Sequence, residues 1–430
     1  MKIIVKEKSV LKIFFYGILL LFASYNIISN NFSEESNRIV AITVLALSVY
    51  LVIAYRNNLM LFIIYFAVFF FNYSIAIPVY LYSEDVFIFH LISDLRIRGI
   101  GINILLVFMI LLVIFKKSNK NHKIINTNIF LINNPKNILV TSTLFIFLIF
   151  IFLLALSGIG IGPIYEYSII LFILGFYYSG DSKLIKSLFT ILLCCFCLLT
   201  FINGDRVSVL QMLIAYFILL FNKKVTYKSM IPVIFIGIIF MTFLGVLGDG
   251  ISLSNLSFEN IIKILENRFF ALDTAYSAFF TSLTFISVKD IVSFSTEIGL
   301  FVNFLVSMVL GGSLVENSSL PLFTRTYMVH YNGGILPIYF YFYLGWLGIL
   351  ISAILLSFYT RKIQNLNEKS SAYSKLVLLY ITATVPRWYL YSPSSLIRGV
   401  LVFSLVYYLM YFINSRLKLN KKKHLYNIKI

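Results

Sequence analysis

The chain has 430 residues, of which 60% are hydrophobic and 12% charged, and its mean hydropathy is +0.93. That balance excludes a water-soluble globule and predicts an all-α polytopic membrane protein. The formal net charge of +18 does not point to nucleic acid, which would require a solvated basic face.

Apolar runs long enough to cross about 30 Å of hydrocarbon predict about twelve transmembrane helices. They cover residues 11–29, 39–55, 59–82, 98–115, 138–157, 165–179, 187–202, 207–221, 229–247, 335–359, 376–391 and 396–413. The first run is too long for a signal-peptide core and lacks a cleavage site, so it is expected to remain as a span. The seventh contains Cys194, Cys195 and Cys197; their spacing matches no zinc site, and apolar packing is their expected role. Pro386 and Arg387 interrupt the eleventh.

Loop charge orients these spans, because cytoplasmic loops carry the excess of lysine and arginine. With the N-terminus inside, 25 of the 35 basic residues fall on the inner side and 14 of the 17 acids on the outer side. Both termini are therefore expected in the cytoplasm. The chain divides into a first set of nine helices over 1–247, a large outer loop over 248–334, and three helices with a basic cytoplasmic tail over 335–430. Half-apolar stretches at 269–288 and 297–310 read as amphipathic helices lying on the membrane or re-entering it. Alternatively they are two further spans, fourteen in all, with Lys289 and Asp290 in a short inner turn.

The outer side is where chemistry is expected. Arg206, Arg268, Arg325, Arg387 and Arg398 all fall there, against the prevailing distribution of positive charge. The guanidinium fork suits bidentate binding of phosphate oxygens; the bland alternative is snorkelling or pairing with an acid, as Arg206 with Asp205. His330 lies near this group and has the side chain for proton transfer near neutral pH, or merely for a bond to a loop carbonyl. Gly158, Gly160 and Gly162 mimic a nucleotide fingerprint only by letter, because they follow a membrane span and not a soluble strand. The run Tyr339, Phe340, Tyr341, Phe342 and Tyr343 is expected to form an interfacial aromatic belt rather than a sugar platform.

Two local patterns now gain meaning. GDRVSVL, at 204–210, resembles the short Ser/Gly-x-Arg motif that opens a span in the O-antigen polymerase and ligase superfamily of bacterial envelope enzymes. HYNGGILPIYFYFYLGWLG resembles that superfamily's His-Asn, Leu, Gly-x-x-Gly pattern through His330, Asn332, Leu336, Gly345 and Gly348, with Tyr331 inserted between His and Asn. The span number, inner termini and large late outer loop also resemble this superfamily, with its membrane glycosyltransferase C-like fold. The repeat-unit polymerases, or Wzy family, are the more similar members.

This resemblance implies an enzyme of the bacterial inner membrane whose site faces the periplasm. It would join polyprenyl-pyrophosphate-linked oligosaccharide repeat units by glycosyl transfer, releasing polyprenyl pyrophosphate. His330, Arg206 and Arg325 would be catalytic; Arg387, Arg398, Arg268, Asp205 and Asn332 would bind substrate. No cofactor or metal is required, since arginines supply the positive charge. Expected partners are the lipid-linked oligosaccharide, membrane lipids and a chain-length regulator protein. An O-antigen ligase and a lipid-linked oligosaccharide flippase are the alternatives.

Overall fold

The computed structural model describes residues 7–29, 32–81, 94–116, 135–157, 162–202, 206–220, 232, 274–330 and 332–427. Among them the structure is helical, and the only β pairing is a single bridge between Lys136 and Ser179. In chain order the helices are α1 (Glu7–Ile28), α2 (Glu34–Tyr55), α3 (Leu59–Ala76), α4 (Leu95–Ile114), α5 (Ile138–Leu156), α6 (Gly162–Tyr178), α7 (Lys183–Ile202) and α8 (Arg206–Leu220). There follow α9 (Thr274–Lys289), α10 (Phe294–Leu310), α11 (Leu320–Thr324), α12 (Leu336–Leu344), α13 (Trp346–Gln364), α14 (Ala372–Ala383), α15 (Val385–Leu390) and α16 (Ser394–Asn427). Seven helical segments among the described residues are long and apolar enough to cross a membrane: 34–55, 59–81, 95–114, 138–156, 183–200, 346–364 and 394–416. The chain is thus a polytopic membrane protein by helix length and composition. The run at 229–247 lies outside the described residues.

Six helix starts are set by polar caps at the ends of the apolar runs. Ser33, Asn58, Asp94, Asn137, Ser293 and Ser371 each accept a bond from a backbone N–H of the first turn. Such a cap satisfies a donor that lipid could not. Hydropathy overlooks these residues because they are polar, so α2 starts at Glu34 and α4 at Leu95, several residues before their apolar runs.

Two compact units emerge. The first comprises 1–122, 258–364 and 388–394; the second comprises 123–257, 365–387 and 395–430. In the second, α5 to α8 and α14 pack together, α16 meets α14 through Tyr373–Ser404 and Tyr380–Phe403, and Asn137 donates to Asn414 Oδ1 over 2.7 Å. Gly175 admits the Phe189 ring against the α6 backbone, so tightly that a Cβ there would meet it at 2.3 Å.

The first unit is built on α2, α3 and α4, whose shared core includes Val44, Leu51, Ile64, Val68, Leu105 and Met109. Buried Asn72 bridges all three, donating to Ser48 Oγ at 2.9 Å and lying 3.6 Å from Met109 Sδ. Helix α9 packs against α3, α4 and α12 and is buried nearly all round, with Phe279, Leu283, Phe285 and Ile286 in the core. It is an interior helix. Helix α10 has two faces, burying Leu300, Phe304 and Met308 and exposing Val302, Val306 and Val309. Asp290 lies 3.5 Å from Arg96, at the end of α4 that loop charge assigns outside; the inner turn of a fourteen-span chain would require the opposite end.

The apolar run at 335–359 is not one helix. Gly345, at φ +59°, ends α12, and α13 starts at the next residue. In a straight helix residues 340 and 348 would stand about 12 Å apart along the axis; here a Cβ on Gly348 would strike the Phe340 carbonyl oxygen at 1.9 Å. The chain doubles back. Ile335 bonds to Ser282, Phe285 meets Tyr339 and Lys289 reaches the Phe342 carbonyl, so α12 climbs alongside α9 toward the Arg96 end. Only α13 is then long enough to cross. A hydropathy window averages over the reversal, because both limbs are apolar and only the glycine marks the turn. The run at 376–391 is likewise broken after Ala383, where Pro386 has no N–H to continue the ladder.

Candidate functional site

The segment from Leu320 to Ile335 carries the polar side chains that the sequence pattern singles out. Helix α11 is a single turn, with Pro321 among its first residues and Arg325 at its C-cap. Arg325 is exposed, and its Nη2 donates to the Asn332 side-chain oxygen. An arginine has five donors. One bond to Asn332 orients the plane of the fork and leaves most of its capacity for an anion.

His330 sits between these two residues in sequence but is buried, at 9% exposure. Its Nε2 lies 2.8 Å from Thr324 Oγ1, and that hydroxyl is 3.0 Å from the Leu320 carbonyl. A hydroxyl has one proton. Spent on the Leu320 carbonyl, it leaves the Thr324 oxygen able to accept from His330 Nε2–H. The ring meets Phe285 edge-on with centroids 6.3 Å apart, which ties the imidazole to α9.

Beyond Asn332 the backbone runs without helix into the interior of the unit. Gly333, at φ +98°, is in a conformation that side-chain-bearing residues rarely adopt, and a Cβ there would meet the Leu390 carbonyl oxygen at 2.8 Å. Gly334 donates to that carbonyl over 2.8 Å, and Ile335 donates to Ser282 Oγ over 2.8 Å. These bonds satisfy irregular backbone where no water from lipid could do so. Tyr389, next to Leu390, stacks on Phe71 with centroids 5.6 Å apart, which anchors this short segment in the first unit.

The pattern of positions that carry His330, Asn332 and Arg325 thus forms one local arrangement in the first unit. Arg387 and Arg398 belong to the second unit and are half-buried. Arg206 opens α8 in that unit, with its side chain outside the described residues, as are Arg268 and Asp205 entirely. Of the remaining motif, Gly345 and Gly348 build the hairpin turn. The aromatic run at 339–343 is not a surface belt: Tyr339, Phe340, Phe342 and Tyr343 are buried, and Tyr341 alone is half-buried.

Sequence reasoning missed a second charged group. Lys289 pairs with Glu297 and donates to the Phe342 carbonyl over 2.8 Å, with side chains only 18% and 8% exposed. One cation thereby ties together the end of α9, the first turn of α10 and the last turn of α12, where a positive charge suits the helix dipole. Its spacing of eight residues across a turn is no helical repeat, so the pattern had no period to reveal it. Among the described residues no three His, Cys, Asp or Glu side chains cluster as metal ligands would. Compared with known protein families, curated proteins and solved structures, the chain matches none.

Proposed function

We propose that this chain is a surface-polysaccharide polymerase, joining polyprenyl-pyrophosphate-linked oligosaccharide repeat units on the outer face of the bacterial cytoplasmic membrane. The arrangement of Arg325, Asn332 and His330 at the glycine turn carries this reading. It combines an oriented guanidinium, fit for pyrophosphate oxygens, with an imidazole held against Thr324. The short motifs that resemble those of the O-antigen polymerase and ligase superfamily support it from the sequence.

In this mechanism an acceptor hydroxyl attacks the anomeric carbon of the donor, and the bond from that carbon to the pyrophosphate oxygen breaks. His330 takes the hydroxyl proton. Arg325 neutralises charge building on the departing polyprenyl pyrophosphate, which lowers the barrier because that charge is greater in the transition state than in the ground state. The surface glycan of a strain lacking this chain tests the proposal. A single repeat unit in place of a ladder supports it; an unchanged ladder overturns it, and loss of all repeat units points to a flippase or ligase.

A further inference from the structure

The hairpin tip between α12 and α13 gathers chemistry that the proposed mechanism does not use. Trp346 is 38% exposed. Tyr341 abuts it edge-on, with centroids 5.3 Å apart and planes at 71°, so the indole is braced from one side. Arg96 and Asp290 stand 3.5 Å apart with side chains 58% and 54% exposed, and both lie within electrostatic reach of Tyr341. Beneath them Lys289 fixes the Phe342 carbonyl, so the tip is held by a buried ion pair. A Cβ on Gly345 would meet nothing within 4 Å, so space beside the turn is open.

We propose that this tip is a saccharide-binding subsite, with Trp346 offering a stacking face to a sugar ring and Asp290 and Arg96 hydrogen-bonding its hydroxyls. An exposed indole presents an apolar face with a polar edge. A carboxylate accepts from two hydroxyls at once and a guanidinium donates to two. An interfacial aromatic belt accounts for the tryptophan but not for Asp290, whose charge repels anionic lipid headgroups. That the sugar belongs to a repeat unit rests on the function proposed above; the subsite itself rests on the tip.

The test uses the full chain in lipid nanodiscs, titrated with the soluble oligosaccharide released by hydrolysis from the producing bacterium's own surface glycan. The chain has two tryptophans, and Trp388 is 1% exposed, so a change in emission that disappears in Trp346→Phe belongs to the tip. The expected result is a saturable change in the native protein, absent in Trp346→Phe and needing about tenfold more saccharide in Asp290→Asn. No saturable change, an equal response in Asp290→Asn, or emission that follows only the lipid composition of the disc would overturn the subsite. The glycan of the deletion strain reports separately: a lost ladder without saccharide binding removes the subsite alone, and binding with an intact ladder removes only the polymerase.

Discussion

At the scale of the residue, Arg325 and His330 differ in how far their surroundings commit them. Arg325 is exposed and spends one donor on Asn332, so its identity matters through the shape of its fork. Lysine keeps the charge but has no planar pair of donors. Arg325→Lys is therefore expected to polymerise little better than Arg325→Ala when purified lipid-linked repeat units are converted in vitro and read as a ladder; near-native activity in the lysine variant would remove the bidentate role. His330 is nearly buried, with Nε2 against Thr324. Loss of a general base slows transfer by about 10²- to 10⁴-fold, the expected effect of His330→Ala. Glutamine can keep the Thr324 bond but has no basic nitrogen, so His330→Gln is expected to be as slow. Rapid transfer by the glutamine variant would reduce His330 to a loop support. The residue types were legible in the sequence, but the partners were not: Thr324 lies six residues before His330, a spacing with no meaning until α11 ends and the chain turns.

At the scale of the element, the α12–α13 hairpin depends on Gly345, Gly348 and the Lys289–Glu297 pair. A side chain at Gly348 would overlap the Phe340 carbonyl, and backbone cannot move aside as a flexible side chain can. Removing Lys289 leaves the mostly buried Glu297 without its cation and the Phe342 carbonyl without its donor. Breaking a buried pair from one side costs about 3–5 kcal/mol; partial exposure places Lys289→Met near the lower end of about 3 kcal/mol. The expected outcome is a clear fall in thermal unfolding temperature in detergent. Adding Glu297→Gln should recover part of it, because the uncompensated charge is then gone; a double variant that loses the sum of the two single losses would show that the pair contributes nothing beyond its separate side chains. Helix existence was legible because apolar runs announce it, and helix starts lay with capping residues such as Asp94 and Asn137. The reversal at Gly345 was hidden because glycine inside an apolar run is common in membrane helices, and only the backbone conformation distinguishes a turn from a packing site.

At the scale of the whole molecule, the distribution of charge anticipates which helix ends lie together within each unit. Residues assigned inside by loop charge bond to one another: Lys116 Nζ to the Tyr50 hydroxyl at 3.2 Å, Arg361 to the Phe115 carbonyl at 3.5 Å, and, in the second unit, Asn137 to Asn414 at 2.7 Å. Arg96 and Asp290, both assigned outside, pair with each other. This agreement arises because antiparallel neighbours alternate ends, so a rule about lysine and arginine in loops also sorts contacts. It fixes relative sides only, since inverting the chain in the bilayer would preserve each bond. Absolute orientation is an expectation from loop charge, which places 25 basic residues in the cytoplasm; it matters to the proposed function, because a periplasmic site must take a lipid-linked donor. After replacement of Cys194, Cys195 and Cys197, the only cysteines, single cysteines at exposed Ser295 and exposed Lys362 report the two ends. Ser295→Cys is expected to react with a membrane-impermeant maleimide added to intact spheroplasts, and Lys362→Cys only after the membrane is opened. The reverse pattern would put Asp290 and the hairpin tip in the cytoplasm and overturn a polymerase acting on the outer face.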